Sequence, residues 1–249
     1  LFAGGVWLGG QQLGGDLFVA ASQYGGAGKD YYPGPLFDGN SGPDGETNQE
    51  MCENWDQFFT VDGGNIDDFI AEFQASDPNS FDCNAVPIDI KGWPGKGNPH
   101  FFDIHGFDLP DNDAGLAGFR DINDDGIYNP CDGDYPIIEI RKCPDTTYAD
   151  NMIFWIYNDN GNTHNESEGL PIRMEVQAQA FGFATSDEIN DMTFYRYKMI
   201  NRAIEPIDSF HFSMWIDPDL GCPDDDYIGC DTAAELMFVY NQDATDGIS

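Results

Sequence analysis

The residues best suited to chemistry lie between Asp121 and Asp134, in the order D-I-N-D-D-G-I-Y-N-P-C-D-G-D. Calcium takes six to eight oxygen ligands, and a short loop can supply them from alternate positions when a glycine allows the sharp turn. Asp121, Asn123 and Asp125 fall at loop positions 1, 3 and 5, and Gly126 falls at 6. Ile127 offers its carbonyl at 7, Asn129 stands at 9, and Asp132 closes at 12 where an EF-hand carries Glu. An Asp/Asn/Gly turn would explain this composition but not six positions in register. The stretch is expected to bind Ca2+. Residues 113–120 show no helical stripe and Pro136 introduces a strand, so the loop is expected between β elements rather than in an EF-hand sensor.

A second acidic run, D-P-D-L-G-C-P-D-D-D-Y-I-G-C-D, begins at Asp217. Only Arg196, Lys198 and Arg202 are basic beyond position 175, too few to neutralise it. Asp217, Asp219 and Asp226 are the ligands that spacing favours for a second cation; a solvated acidic loop is the alternative. His100, Asp103 and His105 could serve a transition metal, but their spacing fits neither helix nor strand periodicity, which favours ordinary loop histidines. No G-x-S-x-G turn accompanies His211, and no glycine-rich phosphate loop opens a helix. With 45 acidic residues, a carboxylate pair at glycosidase separation is expected by chance. No catalytic residue is assigned, and the chain is not expected to be an enzyme.

Ten Lys and Arg against those acids leave a formal charge of −35 across 249 residues. Such a charge repels nucleic acid and anionic membrane, and it repels itself unless cations intervene. No apolar run is long enough to span a bilayer. Six cysteines without a C-x-x-C spacing disfavour a zinc ribbon and point to disulfides in an oxidising compartment. Fifteen connectivities exist for six cysteines; sequential pairing, Cys52–Cys83, Cys131–Cys143 and Cys222–Cys230, is preferred among them. Trp7, Tyr24, Tyr31, Tyr32, Trp55 and Trp93 admit two readings, a sugar-stacking or subunit surface, or core filling beneath long loops.

The elements that must position these groups are mostly strands. Leu1–Leu8 and Leu17–Tyr24 flank a glycine-rich connection and read as a hairpin. Ile66, Phe69, Ile70 and Phe73 place one helix over Asn65–Ala75. Val86–Ile90, Ile137–Arg141, Met152–Tyr157 and Leu236–Tyr240 read as strands. Alternation over Ile172–Ala180 predicts a half-buried strand with Arg173, Glu175, Gln177 and Gln179 on a wet face, then a bulge at Gly182. Thr193–Ile200 and Ser209–Ile216 are expected to pair as a hairpin. The expected fold is all-β, an antiparallel β-sandwich with long Gly/Pro/Asp-rich loops and one short helix near 65–75, forming one module over 1–249.

Several stretches carry a resemblance: Y-Y-P-G-P-L (31–36), the 121–136 run, F-W-I-Y-N-D-N-G-N-T-H (154–164), E-V-Q-A-Q-A-F (175–181), F-Y-R-Y-K-M-I-N-R (194–202) and W-I-D-P-D-L-G…D-D-Y-I-G-C-D (215–231). Together they resemble large secreted Bacteroidota proteins exported by the type IX secretion system. The resemblance implies an extracellular, cell-surface location for a module of a longer multidomain chain; it supplies no catalytic residues. The expected function is a calcium-stabilised, disulfide-stapled structural or adhesive module of a surface protein, appendage or filament, with other copies or domains of the same protein as partners. A carbohydrate-binding or glycan-cleaving module is the alternative, with glycan as its partner.

Overall fold

The computed structural model describes residues 2–11, 14–40, 42–77, 81–112, 114–140, 147–222 and 224–242. The chain begins with β1 (Ala3–Gln11), β2 (Leu17–Ala20), β3 (Tyr32–Pro33), α1 (Gln49–Asn54), β4 (Phe59–Asp62) and α2 (Gly63–Ala75). Two single-turn helices follow, α3 (Ile88–Lys91) and α4 (Phe101–His105), then β5 (Phe119–Arg120) and β6 (Tyr135–Pro136). Longer strands complete it: β7 (Asn151–Asn158), β8 (Met174–Gly182), β9 (Phe194–Asn201), β10 (Asp208–Asp217), β11 (Asp226–Asp231) and β12 (Leu236–Asn241). The fold is all-β and sandwich-like, with antiparallel sheets and few short helices. Among the described residues, no helix is long and apolar enough to cross a membrane.

The chain divides into two compact units, each assembled from separated segments. The first comprises residues 1–30, 163–172 and 206–249. In it β1 lies between β2 and β10, and β11 pairs with β12 as a hairpin. The register of β1 against β10 shifts between Gly9 and Gln11. Asp30 fastens this unit: its buried carboxylate accepts hydrogen bonds from the amides of Ala21 (2.9 Å), Glu166 (3.0 Å) and Ser167 (3.1 Å).

The second unit comprises residues 31–162 and 173–205. Its five-stranded sheet runs β3-β7-β8-β9, with β4 also paired to β7. Alternation on β7 sends Met152, Phe154 and Ile156 into a core shared with Trp55, Phe69 and Trp93. Asp62 ends β4 and also caps α2, its side chain accepting from Gly64 N. Ile66 and Phe69 of α2 are buried, each side chain contributing about 1.5–3 kcal/mol by leaving water. The helix over 65–75 is therefore found where its apolar spacing placed it.

Four expectations are corrected. Val86–Ile90 is not a strand: Pro87 precedes α3, with φ near −54° suited to a helix start. Strands β9 and β10 do not pair with each other; β9 lies on β8 and β10 on β1. No bulge occurs at Gly182, which stays in register with Asn151. The face of β8 expected to be wet is buried, with Glu175 and Gln177 at 0% exposure and Gln179 at 2%. Its amide nitrogens find carbonyls above the sheet: Gln177 Nε2 donates to Gly115 O and Gln179 Nε2 to Ile137 O. Of Ile137–Arg141, Ile138 makes an isolated bridge to Thr147, and Arg141 lies outside the described residues.

Candidate functional site

The 121–132 loop is built by its own amides. Asp121 accepts from Gly126 N (2.7 Å) and Asp125 N (3.3 Å), so its carboxylate is wrapped by the turn. Asn123 Oδ1 accepts from Asp125 N, and Asp125 Oδ1 from Ile127 N at 2.8 Å. Asp124 at φ 58° and Gly126 at φ 77° supply the left-handed turns that bring alternate side chains inward. At the far end Asn129 Nδ2 donates to Asp132 Oδ2 at 2.7 Å. The donor set is oxygen only, as a hard cation requires. Asp121, Asp125 and Asp132 nevertheless do not bring their oxygens within 4.8 Å of one another as a group. Asp121, Asn123 and Asp125 form the near side; Asn129 and Asp132 pair with each other.

What closes this loop is Asp134, which spacing did not single out. Fully buried, it accepts from Ile122 N and Asn129 N, both at 2.8 Å, and so ties the loop's first and last thirds to one carboxylate. Burial pushes its carboxyl up to about 6; the two amide bonds oppose that rise, and the nearby charges of Asp121 and Asp125 add to it. Tyr128 anchors the loop to the core: its hydroxyl donates to Ile90 O at 2.6 Å and its amide to Lys96 O at 2.8 Å. A Cβ at Gly95 would stand 2.5 Å from Tyr128, so a glycine is required there.

The same anchoring decides the disulfides. Because Tyr128 fastens residues 128–132 to the 83–100 segment, Cys131 bonds to Cys83. This corrects both Cys52–Cys83 and Cys131–Cys143. Cys52 on α1 carries no disulfide, and Cys143 lies outside the described residues. Cys222–Cys230 is corrected as well: the two are not joined to each other. Cys230 sits in the β11 ladder opposite Met237, where strand pairing closes the hairpin instead.

The second acidic group is spread out. Asp217 ends β10 and is exposed, Asp219 is exposed, and Asp226 opens β11 with Oδ2 accepting from Leu220 N. These three form no group within 4.8 Å. The Oδ1 atoms of Asp226 and of its cross-strand partner Asn241 are buried without a hydrogen-bond partner. Asn241 is thus a candidate that a search for acidic residues passes over.

Of the six early aromatics, Trp55 and Trp93 are core residues at 1% and 0% exposure. Trp7 and Tyr24 are exposed in the first unit. Tyr31 and Tyr32 line a cavity of about 310 Å³ together with Phe58, Trp155 and Tyr157, with Asp56 and Gln57 at its wall. Phe58 is 68% exposed and stands edge-on to Trp155. His105 is a packing histidine against Phe101, while His100 stands beside the Cys83–Cys131 bridge. No protein-family model matches the chain, and no curated protein or solved structure matches it either.

Proposed function

We propose that the protein is a calcium-stabilised, disulfide-stapled structural or adhesive module of an extracellular surface protein, of the type IX-exported kind its motifs resemble. The observation that carries this reading is the 121–132 loop. Its Asp121, Asn123 and Asp125 side chains are preset by the loop's amides, its two ends are tied to buried Asp134, and Cys131 staples it to Cys83. Asp121, Asn123, Asp125, the Ile127 carbonyl and Asn129 would hold Ca2+, with Asp132 joining after release from Asn129. The ion would supply positive charge where a chain of −35 most needs it. Asp226 and Asn241, each with an unsatisfied buried oxygen, support a second cation at the start of the β11–β12 hairpin. Exposed apolar side chains on that hairpin, Ile228, Leu236 and Phe238 among them, suit contact with another copy or domain.

The 310 Å³ aromatic cavity favours a second reading, carbohydrate binding, since exposed Phe58 and the flanking tyrosines offer rings for stacking beside polar Asp56 and Gln57. Electron microscopy of natively sourced protein, in calcium and then in chelator, separates the two. Regular polymers that loosen in chelator are expected. Dispersed particles in both conditions that bind a polysaccharide panel would replace the structural reading with the glycan one.

A further inference from the structure

The Cys83–Cys131 bridge has a third member. His100 Nε2 stands 3.0 Å from Cys131 Sγ and 3.7 Å from Cys83 Sγ. Among the described residues, this is the one group of three or more His, Cys, Asp and Glu residues whose ligand atoms all lie within 4.8 Å. All three are half-buried, and each is held by its own backbone support. Cys83 opens a 3₁₀ turn capped by Asp82, and Cys131 lies in another capped by Asn129. The His100 amide donates to Asn98 Oδ1 at 2.9 Å, while Asn98 Nδ2 is fixed on Lys91 O and Trp93 O. The Lys91 ammonium donates to the backbone carbonyl of Cys83 at 3.0 Å. A cavity of about 360 Å³ reaches His100 from between Asn84, Lys91 and Asp103.

We propose that Cys83, Cys131 and His100 form a redox-gated site for a thiophilic divalent ion of the Zn2+ class. Two thiolates and an imidazole suit zinc and not calcium. A thiolate sulfur and an imidazole nitrogen on one tetrahedral zinc stand roughly 3.5 Å apart, and the two sulfur–nitrogen distances here bracket that value. In the oxidised chain the S–S bond occupies both sulfurs. A dithiol reductant breaks that bond, gives two electrons and two protons to the sulfurs, and leaves as its own disulfide. Zn2+ then binds both sulfurs and His100 Nε2, and two thiol protons go to solvent. A fourth position, open toward the cavity, is left for water. Either bond, S–S or S–Zn–S, cross-links the same segments, so the loop at 128–132 stays fastened in both redox conditions. Cys131 lies in the calcium loop, but none of the proposed calcium ligands is a ligand of this site, so Zn2+ binding by the reduced chain and Ca2+ binding by the loop are measured separately and each can fail without the other.

The test uses the whole chain in millimolar Ca2+, which occupies hard oxygen sites, with and without a phosphine reductant. Zn2+ stoichiometry and affinity are measured by competition with a chromophoric chelator, and Co2+ reports sulfur ligation through its thiolate charge-transfer absorption. One Zn2+ per reduced chain and none per oxidised chain are expected. His100→Ala, which leaves both cysteines in place, should weaken binding at least tenfold and Cys83→Ser should do the same, while Cys52→Ser changes nothing. His100→Gln serves as the second variant should the alanine form unfold. A reduced chain that binds no Zn2+, equal binding when oxidised, or binding weakened less than tenfold by both site variants would overturn the proposal.

Discussion

At the scale of single residues, two buried carboxylates do work that their types alone do not reveal. Asp30 is 1% exposed, and burial alone would raise its carboxyl. Hydrogen bonds from Ser167 and from the Ala21 and Glu166 amides outweigh that burial, aided by His164, and hold it below the ordinary 3.8. A depressed folded-state value contributes stability that is present above the unfolded value and lost as pH falls through the folded one. Asp30→Asn is therefore expected to be less stable than the parent at neutral pH and to flatten the loss of stability below about pH 4. Urea midpoints across pH 2.5–7, roughly the span over which aspartates titrate, measure both effects. A parent-minus-variant difference that stays constant down to the lowest pH would contradict the assignment. Asp30 and Asp134 were not legible in the sequence because one acid among 45 carries no mark of burial. The tight turn over 121–127 was legible, since its glycine and short polar side chains follow from local backbone geometry.

At the scale of elements, β8 shows where periodicity stops informing. Its alternation was real and gave the strand, yet the polar face is covered, because Asn112 and Gly115 lie on it. Glu175 is the hub. Its carboxylate accepts from Leu36 N, Asn112 Nδ2, Gln177 Nε2 and both Nε and Nη2 of Arg202. The Arg202 side chain is only 8% exposed, so removing its partner leaves a cation with little water. Glu175→Ala should cost about 3–5 kcal/mol in urea unfolding. Combining it with Arg202→Met should cost less than the sum of the single changes, since neither charge is then stranded. A loss below about 1 kcal/mol would mean that water reaches Arg202 in solution. The helix α2 was legible for the converse reason: its apolar stripe faces a core and its other side faces solvent, so local pattern and tertiary burial agree. Cysteine pairing was not legible, because it depends on Tyr128 joining segments that are distant along the chain.

At the scale of the whole molecule, the charge of −35 is the dominant condition under which everything else folds. Two effects of cations must be told apart. Any salt screens the acids from one another beyond a Debye length of about 8 Å at physiological strength, raising stability without a site. A bound ion acts by mass action on the folded form alone, so its effect saturates with concentration and is lost with its ligands. Thermal unfolding in NaCl and in CaCl2 at matched ionic strength should show a larger, saturating gain for calcium. At 100 times the dissociation constant the gain is about 2.7 kcal/mol. Asp125→Ala should abolish most of that calcium-specific part, because Asp125 supplies position 5 of the loop and also fixes Ile127 N, which sets the carbonyl at position 7. The gain from NaCl should survive in the variant, since one charge among so many barely changes the repulsion. Equal gains from both salts in parent and variant would assign the whole effect to screening, and the loop would then be a turn held by its own amides and by Asp134 rather than a calcium site.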